Sequence, residues 1–144
     1  MRMCGWERYL VAPLLLLISA CGASEAPVGR WEGFLDSPSW IIVVRLEVEG
    51  GNNIRASALS AEVDGMTLPN KFEAAKQLQT AMRKQWPQAV RGRVDFRDNT
   101  LTRTEHVAPL FVFDERKRTM TFYFYAGGKL AEKVVCIPVE HFAS

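Results

Sequence analysis

Between Trp40 and Glu49 apolar and charged residues alternate: Ile42, Val44, Leu46 and Val48 share one face, Arg45, Glu47 and Glu49 the other. Period two is the pattern of a half-buried strand. Gly29 to Leu35 reads as a strand before it, with Trp31 opposed to Arg30 and Glu32, and Asp36-Ser37-Pro38-Ser39 is turn chemistry between them. Gly50-Gly51-Asn52-Asn53 closes a hairpin, after which Ile54, Ala56 and Ala58 extend the apolar face. Beyond Pro87 the alternation resumes, with Val90, Gly92, Val94 and Phe96 set against Arg91, Arg93, Asp95 and Arg97. Asp98-Asn99 predicts a tight turn into Thr100–Val107. Further strands are predicted over Leu110–Phe113, Thr119–Tyr125 and Leu130–Val139, with Pro138 placing the end of the last at a sheet edge.

One segment changes period. Phe72, Ala75, Leu78, Met82 and Trp86 recur every three or four residues, opposite Lys76, Gln79, Arg83 and Lys84. Asn70 and Glu73 make a capping-box pair and Pro87 stops the run, so an amphipathic helix of about four turns is expected with its stripe on the core. Three strands, a helix and five more strands, with short connections, favour antiparallel pairing. The expected fold is α+β: a strongly curved, barrel-like antiparallel sheet of about seven to eight strands. One helix follows the third strand and lies across an open side or end.

The first twenty residues follow neither period. Arg2 and Arg8 precede an uncharged run from Tyr9 to Ala20. That run is too short for a helix spanning a ~30 Å hydrocarbon core and suits an export signal. Its end, Ile18-Ser19-Ala20-Cys21, resembles the lipobox of bacterial lipoproteins, with isoleucine where leucine is commonest. The resemblance implies a diacylglycerol on the Cys21 thiol and cleavage before it. Gly22, in place of the aspartate that marks inner-membrane retention, implies an outer-membrane anchor facing the periplasm. With ordinary cleavage, Cys21 would remain a free thiol. The organisation read here is a signal at 1–20, a Ser/Pro/Gly-rich tether at 21–28 and a single periplasmic domain at 29–144.

Setting aside Arg2, Glu7 and Arg8, the remaining chain holds 16 basic and 15 acidic residues, a balance that gives no case for a nucleic-acid partner. Cys4 leaves with the signal and Cys21 is committed to lipid, so Cys136 has no disulfide partner. It sits in the run Val134-Val135-Cys136-Ile137, as a small buried hydrophobe or a reactive thiol. No metal-ligand spacing, phosphate loop or nucleophile elbow accompanies His106 and His141. Glu47 and Glu49 read as ordinary solvent-facing carboxylates. No catalytic residue, metal or cofactor is expected, and the reading is non-enzymatic.

Two surface features remain. Arg91, Arg93 and Arg97 share a strand face, as a solvated row paired with neighbouring acids or as a patch for an anionic partner. Trp40, Tyr123 and Tyr125 stand on the polar side of the pattern, as a recognition surface or as a sheet face covered by the tether. Gly29-Arg30-Trp31 resembles the opening motif of lipocalins over three residues. That resemblance implies a barrel carrying a lipid or small apolar ligand, although the mid-chain helix and the missing second motif depart from it. The leading expectation is a membrane-tethered protein that binds another protein. In architecture and location it resembles envelope inhibitors and immunity proteins. A structural envelope-assembly lipoprotein and a ligand carrier are the alternatives, with the barrel interior expected to be filled.

Overall fold

A computed structural model describes residues 24–104 and 108–144. The expected signal at 1–20, Cys21 and His106 lie outside the described residues. The strands are β1 (Gly29–Asp36), β2 (Trp40–Glu49), β3 (Asn53–Glu62), β4 (Arg91–Arg97), β5 (Thr100–Arg103), β6 (Pro109–Asp114), β7 (Thr119–Ala126) and β8 (Lys129–Val139). Helix α1 (Leu68–Gln85) follows β3. Each strand pairs antiparallel with its neighbour in sequence, and β8 returns to pair with β1, giving a closed eight-stranded barrel. This is the curved sheet with a helix after the third strand that the alternation predicted.

Eight strands leave an interior just wide enough for side chains. Here Trp31, Ile42, Val44, Leu46, Phe111, Met120, Phe122, Val134 and Cys136 fill it. Full burial of such side chains contributes about 1.5–3 kcal/mol each, so the inward period-two face dominates stability. Trp31 gives its indole N–H to the carbonyl of Arg118 at 2.9 Å, which satisfies its polar atom at one mouth of the barrel. Asp98 and Asn99 both take positive φ (52° and 59°), as the two-residue hairpin turn requires.

Four local expectations change. First, α1 starts at Leu68, with Thr67 at the cap and Pro69 in the first turn, rather than at an Asn70 cap. Proline already has the helical φ and lacks a donor that the first turn cannot use. Phe72, in the first turn, is 71% exposed, and only Met82 and Trp86 of the stripe are buried. Second, the strands pair round into a closed barrel, and α1 does not cap its end or interior. It packs on the outer surface, where Met82 and Trp86 meet Val43 and, half-buried, Leu59, Leu78 and Phe142.

Third, β2 is consequently buried on both faces, and Arg45, expected in solvent, is 5% exposed. Pro138 stands at an edge, as expected, pairing with Trp31 of β1 alone. Pairing with β7 ends at Cys136, so Pro138 answers to one neighbour only. Fourth, Ala58, expected inward, is exposed. Its strand pairs with β4 only over Asn53–Arg55, which leaves the far half of that seam open.

Candidate functional site

Alternation in β8 sends Val134 and Cys136 into the core and must send Val135 and Ile137 outward. Among the described residues no element covers them: Val135 is 57% and Ile137 58% exposed, with Phe34 of β1 beside them at 47%. Register places Ile137 against Glu32, and Val135 against Thr121 of β7. These side chains thus form one wall across β1, β8 and β7. Isolated exposed apolar residues are ordinary, whereas a contiguous group marks a contact surface.

Helix α1 turns the wall into a groove of about 410 Å³, with Val43 and Met82 at its base and Gln79 and Arg83 along the opposite rim. The C-terminal residues close one end. Ala143 donates its backbone N–H to Glu32 at 3.3 Å, and Arg45 donates to the Ala143 carbonyl. Arg45 also pairs with Glu32 at 3.0 Å and lies 4.9 Å from the centre of the Phe142 ring. Phe142 in turn meets Trp86 edge to face at 4.7 Å. Arg45 is thereby neutralised and shielded, and Arg83 is the exposed cation of the groove.

On the β7 side the wall continues into a shallow depression of about 540 Å³ that includes Val112, Thr121, Tyr123 and Lys133. The Lys133 ammonium sits 5.0 Å from the Tyr123 ring centre, within cation–π range. Tyr125 points the same way and donates its hydroxyl to the Pro109 carbonyl at 3.0 Å. Desolvation and the neighbouring Tyr123 push the Tyr125 hydroxyl above its usual range.

The other sequence-predicted residues lie elsewhere. Trp40 is not on the tyrosine side. It is half-buried at the rim of the interior, edge to face with Phe124 at 4.9 Å. Arg91, Arg93 and Arg97 are exposed on β4, halfway round the barrel from β8. Arg91 pairs with Glu49 at 3.2 Å, while among the described residues Arg93 and Arg97 have no ion-pair partner. Glu47 is not an ordinary surface carboxylate. It bridges Arg30 and Arg55, each at 2.9 Å, in a ladder running from β1 to β3. Burial alone would raise its pKa, but the Arg55 hydrogen bond and both guanidinium charges outweigh it and hold the carboxyl below its usual range.

Cys136 is fully buried, and desolvation raises its thiol to about 12, so it carries no thiolate near neutrality. Its place in the interior answers the choice left open for it. No protein-family model, curated protein or solved structure matches the chain. The site is therefore read from its own geometry: apolar contact area, a tyrosine–lysine pair and a rim cation. The sequence reading missed Phe34, Val135 and Ile137. The signal was present in Val134-Val135-Cys136-Ile137, a run apolar on both faces of a strand that has only one face toward the core.

Proposed function

We propose that the chain is a lipid-anchored outer-membrane lipoprotein of the periplasm that acts, without catalysis, by binding another protein. The observation that carries the binding half is the uncovered wall of Phe34, Val135 and Ile137, continuous with Tyr123. The anchoring half rests on Ile18-Ser19-Ala20-Cys21 and its resemblance to the lipobox. Arg83 and Lys133 flank the apolar wall itself, with Asp114, Glu115 and Arg116 farther along the depression, so the fitting partner presents an apolar ridge with acidic residues beside Arg83 and Lys133. Such a surface suits an inhibitor or immunity-type protein, because aromatic and aliphatic anchors in a groove concentrate binding energy. The carrier alternative places its ligand in the barrel, where Trp31, Phe111, Phe122 and their neighbours already fill the space.

Site-specific photo-crosslinking in the native envelope tests this. A crosslinking residue at 135 or 137 should trap a discrete protein whose contact segment is apolar and acidic. The same residue at Arg103, exposed on β5, should not. Equal trapping from both sides, or lipid as the sole product, would remove the reading. A transport or assembly component as the trapped partner would replace the inhibitor role with a structural one.

A further inference from the structure

The residues read as a flexible tether do not hang free. Ala26 is buried at 3% and belongs to the main core cluster. Its backbone N–H donates to the Asn52 side chain at 2.7 Å, while Asn52 donates back to the Ser24 carbonyl at 3.3 Å. The Gly51 N–H reaches the Glu25 carboxylate at 3.3 Å. Residues 24–26 are thus fastened to the β2–β3 connection by three hydrogen bonds and one buried side chain.

In an up-and-down barrel alternate connections share one end. The Gly50–Asn52 turn therefore stands at the same mouth as the Asp98–Asn99 turn and the loop from Asp114 to Arg118. The Phe113 N–H bonds the Asn99 carbonyl at 2.7 Å, joining two of these turns directly. Arg97, Arg116, Lys117 and Arg118 are exposed here, beside the acids Glu25, Asp98, Glu115 and Glu140. The Asp114 carboxylate is taken up by the backbone N–H groups of Arg116 and Lys117, each at 3.0 Å.

We propose that this mouth is a membrane-facing surface and that the barrel stands end-on against lipid headgroups. The inference rests on the acylation of Cys21 proposed above. Three Cα steps separate Cys21 from Ser24, a covalent reach of at most ~11 Å. A lipid at Cys21 therefore holds the Gly50–Asn52 turn close to the bilayer surface. The opposite mouth stands farther off by the length of β2, whose ten residues rise ~3.3 Å per step at a tilt of ~40°, or about 23 Å over its span from first to last Cα. The basic run Arg116-Lys117-Arg118 meets anionic headgroups, and the wall of Phe34, Val135 and Ile137 stands upright, open to a partner moving along the membrane.

The test uses the full acylated protein in vesicles of phosphatidylethanolamine and phosphatidylglycerol carrying a headgroup quencher. A fluorophore is placed on Gly50→Cys at the near mouth or Lys129→Cys at the far mouth. A side chain at Gly50 meets nothing within 4 Å, and Lys129 is exposed. Cys136, being buried, stays unlabelled. Quenching should be several-fold stronger at position 50 than at 129. Asn52→Gly, which keeps the positive φ of 59° but removes the fastening side chain, should narrow that difference while the thermal melt persists. A long Gly/Ser insertion after Cys21 should narrow it further. Intact mass is measured first. No acyl mass overturns the anchor, and the orientation with it. An acylated protein with equal quenching at the two positions overturns the orientation alone.

Discussion

Gly33 lies where the filled interior and the outer wall share a strand, and its replacement by alanine has a calculable consequence. A Cβ there would stand 2.6 Å from Cys136 Sγ, 3.0 Å from a Val134 methyl and 3.2 Å from the Val135 carbonyl oxygen. Ordinary contacts lie at about 3.5–4.0 Å, so the sulfur or the strand must move by roughly 1 Å. Gly33 pairs with Cys136 in the β1–β8 register, so that movement would strain the seam that closes the barrel. Overpacking of this kind costs about 1–3 kcal/mol. Loss of glycine's freedom in the unfolded chain returns ~0.4–1 kcal/mol. Gly33→Ala should therefore destabilise by roughly 1–2 kcal/mol, read as a lower urea midpoint at unchanged slope. Cys136→Ala removes a buried sulfur at a cost of about 1 kcal/mol. Together the two should cost less than their sum by about 1 kcal/mol, because the shortest clash is gone. Additive costs, or a stabilised Gly33→Ala, would refute this account of the packing between β1 and β8.

Three further outcomes are expected. The Cys136 thiol is raised from 9.0 to about 12 in the folded state, so its contribution is complete below pH 9. Above pH 9 stability should fall by up to ~1.4 kcal/mol per pH unit as the unfolded thiol ionises first, a slope that Cys136→Ala should flatten in urea titrations. Arg45→Ala should cost about 2–3 kcal/mol and shift Trp86 fluorescence, whereas Arg45→Met, which keeps the packing under Phe142, should cost about half as much. That magnitude lies below the range for fully buried pairs because the Glu32 side chain is 23% exposed. Val135→Thr with Ile137→Thr should change stability by no more than ~0.5 kcal/mol per site and weaken partner binding by ~2 kcal/mol, checked by melts beside titration of the crosslink-identified partner.

The local pattern determined most of the barrel. Inward faces such as Ile42–Val44–Leu46–Val48 and Met120–Phe122 were legible because a strand's alternation is local and its apolar side must find the core. The helix was legible from its 3.6-residue period, and the turns from residues that accept positive φ, such as Asp98-Asn99. Tyr123 was marked as outward by the same alternation. What each outward face then meets was decided only by the tertiary structure. Arg45 and Glu47 alternate like any solvated pair, yet α1 and the C-terminal residues cover one, and guanidinium groups from β1 and β3 enclose the other. Trp40 has the parity of the inward row of β2, so the alternation itself placed it inward, and the barrel supplied only Phe124 as its neighbour. The contact of residues 24–26 with Asn52 spans 26 positions of sequence. Periodicity reports which side of an element a residue occupies. Coverage of that side depends on non-local contacts between elements, so the wall of Phe34, Val135 and Ile137 emerged only when β8 met β1 and α1 settled beside them.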